Sequence, residues 1–311
     1  MAGFLVSATP EDPPSPRHLE KITYDTRNIK LLLFGGAELT NDSWMEPSVL
    51  CEWNGSKWTT RPEPGPAGRR GHAFVFDEET GRSWLMGGVM RSRQSEDSLV
   101  FDVWSWNDQE WKRETGDCPV REPAAVYDRA NKRVLVYGLS KAGTLSELWE
   151  FHKHQWNKLS SSGPATRNSI LLAYDEKRNC MVAAVNDGEN LSLWEWKDFH
   201  WKKIGPAAGN PPARSRFAFS YDAKLETSLL FGGLGKDREP LNDMWSWNGN
   251  AWHRIISGES PSPRSSTHLV GAGDRLLLYG GSVAKSPPQK GTALTNELWE
   301  WRNNQWRKLS R

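Results

Sequence analysis

The chain has 311 residues, a hydrophobic fraction of 37%, 18 tryptophans, and 40 basic against 38 acidic residues for a formal charge of +2. So even a balance gives no net field to attract nucleic acid or anionic lipid, and no run of about 18 apolar residues is present to cross a membrane. The amino terminus has neither a basic start nor a long apolar core, and Cys51, Cys118 and Cys180 lack zinc-like spacing. The expectation is a cytoplasmic monomer in a reducing compartment, without disulfides, cofactor, nucleic-acid partner or membrane partner.

Residues 1–16 come first, and GFLVSATPEDPPSPR resembles the segment AWHRIISGESPSPR further on. Phe4 to Ala8 is therefore predicted as an outer strand that pairs beside the last one, around Trp306, covering an exposed edge. From residue 17 a pattern repeats six times, over about 17–65, 66–118, 119–163, 164–210, 211–260 and 261–311. Each repeat opens on an apolar stretch ending in an aromatic-Asp pair, as in Tyr24-Asp25, Phe76-Asp77, Tyr127-Asp128, Tyr174-Asp175 and Tyr221-Asp222. Ten positions later stands a glycine column: Gly35-Gly36, Gly87-Gly88, Gly138, Gly232-Gly233 and Gly280-Gly281. Repeat four has Val185-Asn186 there, and repeat six replaces the aspartate with the shorter turn GAGDRL. Two apolar runs around a tight turn read as a hairpin, after which glycine permits positive φ or close backbone approach. A variable segment follows, then an aromatic pair and, five positions on, a closing tryptophan: Trp58, Trp111, Trp156, Trp201, Trp252 and Trp306. Turns such as Asn54-Gly55 make this a second hairpin. Four strands per repeat at a period of 45 to 54 residues fit a propeller array.

Strand, LLFGG, a variable loop, D-x-W-x-W or E-L-W-E-W, and a closing tryptophan resemble the kelch repeat, over about residues 17 to 311. The resemblance implies an all-β fold, a six-bladed β-propeller of four antiparallel strands per blade, with ligands meeting the face around the central channel.

All but two of the tryptophans belong to the repeated signature, so they read as wedges between neighbouring sheets. Trp84 fills a column that is otherwise leucine and reads as core. Trp44, in the variable segment AELTNDSWMEPS, has no packing column to fill. It is either a loop aromatic or a binding residue on a rigid scaffold.

Eight positions before the aspartate stand Arg17, Arg69, Arg167 and Arg214, with Arg264 in the equivalent place of repeat six. Repeat three has Val120 there, followed by Arg121. Under the kelch resemblance these residues circle one mouth of the channel, and Arg70 and Arg216 add to them. A planar guanidinium donates two parallel hydrogen bonds to carboxylate or phosphate, which makes the ring a candidate anion site. The alternative is one intramolecular contact repeated in every blade, so residues that break the column, Arg121, Arg70 and Arg216, are the sharper functional candidates. The basic tips Arg91, Arg93, Lys236, Arg238, Lys285 and Lys290 in repeats two, five and six would join the same rim, either as part of the site or as solvated charges.

His18, His72 and His268 lie near the same strand start in repeats one, two and six, but their offsets from the arginine column differ, so they are weak metal candidates and no metal is expected. No phosphate loop, nucleophile elbow or convergent acid-base pair is legible. The expected function is a non-catalytic binding scaffold for a small anionic molecule or acidic protein segment. The alternative is a non-redox enzyme or accessory protein, of isomerase, lyase or cyclase type, acting on a small anionic metabolite in the central pocket. Fold alone does not choose between them.

Overall fold

The structure, a computed structural model, describes residues 13–40, 43–91, 97–165, 170–186, 188, 191–204, 209–285 and 291–309. Every regular element among them is a β-strand, and no helix is long and apolar enough to cross a membrane. In repeat one, Lys21–Asp25 pairs with Lys30–Phe34, and Leu50–Trp53 and Trp58–Arg61 complete a four-stranded antiparallel sheet. The same order recurs in each repeat, beginning from Ala73–Asp77, Val120–Asp128, Leu171–Asp175, Ala218–Asp222 and His268–Gly271. These first strands neighbour one another in a cycle, His268–Gly271 lying beside Lys21–Asp25, and all of them line a narrow central channel. The result is a β-propeller.

Each repeated column has a physical task. The aspartates cap the turn of the first hairpin: Asp25 Oδ1 accepts from the amides of Arg27 and Asn28 at 2.9 Å, and Asp222 Oδ1 from those of Lys224 and Leu225. The aromatic beside the aspartate reaches back one repeat, where the Tyr127 hydroxyl accepts from the Glu79 amide at 3.1 Å and the Tyr221 hydroxyl from that of Lys177 at 3.2 Å. In repeat six the shorter turn closes through the Ala272 amide donating to the Arg275 carbonyl, 2.8 Å.

Four closing tryptophans wedge against the aromatic that precedes the glycine column of the previous repeat. Ring centroids lie 5.5 Å apart for Trp111 and Phe34, 5.2 Å for Trp201 and Tyr137, and 5.2 Å for Trp306 and Phe231. Trp58 makes the same contact with Tyr279, at 5.4 Å, so repeat one closes the ring against repeat six. Trp58, Trp111, Trp252 and Trp306 are buried, Trp156 and Trp201 half-buried, and Trp84 is core, its indole N–H donating to Asp77. The proposed Phe4 to Ala8 strand lies outside the described residues, but Asn296 Nδ2 donates to the Pro14 carbonyl at 2.9 Å and ties the start of the chain to the last repeat.

The variable segments are less loop-like than expected. In repeat two the strands run on to Arg91 and Asp97 after a bulge between Met86 and Gly88, and in repeat five to Leu234 and Pro240 after one between Phe231 and Gly233. Repeat one grows a separate hairpin, Glu38–Thr40 with Ser43–Met45, and repeat six pairs Ser282–Ala284 with Thr292–Leu294. The glycine pair makes this possible. Gly232 and Gly233 have φ of 62° and 104°, and a Cβ on Gly232 would meet the Arg264 carbonyl oxygen at 2.7 Å.

Candidate functional site

The arginine column is buried, with Arg17 4%, Arg69 1%, Arg214 1% and Arg264 0% exposed. In each case Nε donates to the carbonyl two residues back, and Nη1 donates to the first glycine carbonyl of the same repeat, Gly35, Gly87, Gly232 or Gly280. The guanidinium then meets the acidic residue of the D-x-W or E-L-W motif. Arg69 holds Asp102 at 2.5 and 3.1 Å, Arg214 holds Asp243 at 2.5 and 2.8 Å, and Arg264 holds Glu297 at 2.5 Å. The first tryptophan of the motif donates to the same carboxylate, Trp104 to Asp102 at 2.7 Å and Trp245 to Asp243 at 2.6 Å. Burial pushes these acids up, but the arginine and tryptophan hydrogen bonds hold Asp102 and Asp243 below the usual carboxylate range. Repeat one has Val49 at the acidic position, and Arg17 turns instead to Ser15 and Glu38.

The ring of anion-accepting arginines expected from the sequence is therefore corrected at Arg17, Arg69, Arg214 and Arg264. Their donors are engaged inside their own repeat, and a ligand would have to displace a carboxylate to reach them. Arg167, Arg93 and Lys290 lie outside the described residues. Arg70 bridges Glu46 of repeat one and Asp97 of repeat two, the latter at 2.5 Å. Arg91 stands at the hairpin tip, its amide donating to Glu46 at 2.8 Å, and Arg121 is half-buried against Gly143. Trp44 is 40% exposed and stacks on His18, centroids 4.8 Å apart. His72 is buried edge-on to Phe34, 5.8 Å between centroids, and His268 faces Lys21, so the three histidines point to different places. Among the described residues, no group of three or more His, Cys, Asp or Glu side chains is placed to hold a metal ion.

What faces the mouth is a different column, two positions after the arginines. Leu19, Gly71, Glu122, Arg216 and Ser266 all have left-handed backbone, with φ of 58°, 61°, 47°, 54° and 53°. A non-glycine residue there costs about 1–3 kcal/mol and persists only where the surroundings enforce it. Their side chains share no chemistry, and only Gly71 announced the conformation.

Leu19, Glu122, Arg216 and Ser266 line a cavity of about 1310 Å³, together with Lys21, Leu171, Phe217 and His268 below and Lys236, Arg238 and Glu239 above. Arg216, Lys236 and Arg238 are exposed to it, and among the described residues no hydrogen bond or ion pair engages the Arg216 guanidinium. Burial lowers the pKa of His18, opposed by the charge of Glu20 and helped by the smaller effects of Arg216 and Arg70. On the cavity floor Lys21 Nζ lies 3.3 Å from His268 Nε2, and His268 Nδ1 lies 3.6 Å from the fully buried Glu20. Both Lys21 and His268 are lowered from their ordinary values, first by burial. This acid-base cluster escaped the sequence reading because positions 20 and 268 meet only when the ring closes.

A cyclic array of four-stranded antiparallel sheets around a narrow channel, with a wide cavity at one mouth, defines a β-propeller with a candidate site there. The solved structure of YjhT is similar in fold, with a TM-score of 0.64 over 96% of this chain and 98% of that one, at 15% sequence identity. No protein-family model and no curated protein sequence matches the chain.

Proposed function

We propose that this protein is a kelch-type propeller that binds a small carboxylate- or phosphate-bearing molecule in the mouth cavity. The repeated LLFGG and D-x-W motifs support the kelch reading, each with the structural task described above. The observation that carries the function is Arg216, a guanidinium on a left-handed backbone that lines the cavity together with Lys236 and Arg238. Glu122 and Glu239 line the same cavity, but neither pairs with the Arg216 guanidinium, so an anion entering there can accept its charge-assisted hydrogen bonds.

Titration calorimetry with inorganic phosphate, citrate and a sugar phosphate tests the reading. Binding is expected to weaken as salt rises and to lose ~1–3 kcal/mol in Arg216→Ala. Failure of all three anions to bind at low salt would remove it. A second reading, capture of an acidic protein segment, draws on Leu39, Trp44 and Met45, which expose apolar surface on one hairpin beside Arg70. It is favoured if Trp44→Ala weakens an acidic peptide while small anions bind unchanged.

A further inference from the structure

We propose that Lys21 is the reacting group of this cavity, a nucleophilic amine that His268 and Glu20 deprotonate and that condenses with the carbonyl of an anionic ligand. The inference rests on the anion-binding reading, since the cations of the same cavity would bring the ligand in. It moves the molecule from a passive receptor toward an enzyme of non-redox type.

The geometry is directional. Glu20 is 0% exposed, and neither of its carboxyl oxygens has a hydrogen-bond partner among the described residues. The ring nitrogen nearest to it in space is His268 Nδ1, at 3.6 Å, and that nitrogen has no hydrogen bond either. A carboxyl group facing Nδ1 favours the tautomer that carries its proton there, which leaves the Nε2 lone pair aimed at Lys21 Nζ, 3.3 Å away. Lys21 and His268 both line the cavity, so the amine has a route to a ligand.

The electrostatics act in the same sense. Lys21 is lowered by burial, with Glu20 opposing, and His268 is lowered by burial and by Lys21, with Glu20 opposing. His72, packed behind them from repeat two, is pushed well below its ordinary range by burial and by Lys21, Arg69 and His268. These neighbouring bases thus hold fewer protons than they would in water, and Lys21 and His268 titrate as a pair. Burial of this kind disfavours the ammonium form and so favours a neutral, nucleophilic amine.

The reaction balances without an oxidant or a second reactant. His268 Nε2 takes the third proton of the Lys21 ammonium, and the freed lone pair attacks the carbonyl carbon to form the N–C bond. The π pair moves onto oxygen, which leaves as water with the two protons remaining on nitrogen. A C=N bond to Lys21 results, and water reverses it.

Pyridoxal 5′-phosphate, an anionic aldehyde, is a suitable probe, applied below stoichiometry to the full chain, trapped with borohydride and located by peptide mapping. Lys21 is expected to carry most of the adduct and to label at least about tenfold faster than the exposed Lys112 and Lys177. His268→Gln is expected to slow labelling at pH 7, the difference closing above about pH 10, where any lysine loses its proton. Labelling spread over the surface lysines, with Lys21 not preferred, overturns the inference, as does a His268→Gln rate unchanged at pH 7. Pyridoxine 5′-phosphate, which keeps the phosphate and lacks the aldehyde, separates the two readings by calorimetry. If it binds while Lys21 stays unlabelled, the nucleophile is wrong and the anion site stands; if it does not bind and Lys21 is unlabelled, both fail.

Discussion

Arg214 and Arg216 are two residues apart in the same repeat and do opposite things. Arg214 is closed in by Pro212, Gly232 and Asp243, whereas Arg216 sits on a left-handed backbone at an open cavity. The first recurs because repeats two, five and six carry the same brace between first strand, glycine turn and the carboxylate of the D-x-W or E-L-W motif. The second occurs once. In a repeat protein, recurrence reports what each unit needs to stand, and the variable neighbour of a recurrent residue reports what the assembly does.

The sharpest way to break this contrast is at the brace. Arg214→Ala leaves Asp243 without its guanidinium in a largely buried place and is expected to cost ~3–5 kcal/mol, read as a fall in the thermal midpoint. Trp306→Ala removes the wedge against Phe231 and is expected to cost a similar ~3–5 kcal/mol. If either variant melts like the parent, the recurrent columns are not structural.

Acid reads the same brace more gently. Burial works to raise the pKa of Glu297, but hydrogen bonds from Lys308, Arg264 and Trp299 hold it down at about 2. A depressed folded-state value gives stability that is fully present above the unfolded carboxyl value of about 4.3 and is lost as pH falls toward about 2. Glu297→Gln is expected to be less stable than the parent at pH 7, with the gap narrowing over that window in acid unfolding curves. A gap independent of pH would remove the ion pair from the account.

Arg70→Ala breaks a partly exposed bridge between repeats one and two, for which about 0.5–1 kcal/mol is expected in a denaturant titration. Arg216→Gly is the smallest. Glycine accepts φ of 54° without strain, so stability is expected to stay within about 1 kcal/mol of the parent or to rise. A large loss there would make Arg216 another brace.

Much of the architecture was legible in the sequence because periodic columns are visible without an alignment: closing tryptophans, turn aspartates and glycine pairs each came back at a fixed offset. Half of the brace was legible as well. Asp102, Asp243 and Glu297 stand two positions before the first tryptophan in repeats that carry the arginine, and Val49 replaces them where Arg17 bonds differently. Repeat three keeps the acid, Glu147, without the arginine, and repeat four has Ser192 there while keeping Arg167, so the pairing of the two columns was only partly visible and the arginines alone suggested a ligand. The cavity floor was not legible for a topological reason, since Glu20 and Lys21 meet His268 only through the contact between first and last repeats. The mouth residues were hidden for a conformational one, because Leu19, Glu122, Arg216 and Ser266 share a backbone angle and nothing else.

The most direct measurement compares phosphate-ligand affinity and unfolding midpoint in Arg216→Ala and the parent, using pyridoxine 5′-phosphate in calorimetry at low salt. The account predicts an affinity at least about tenfold weaker, equal to ~1.4 kcal/mol, with the midpoint unchanged. Unchanged affinity in a variant that still folds would contradict it.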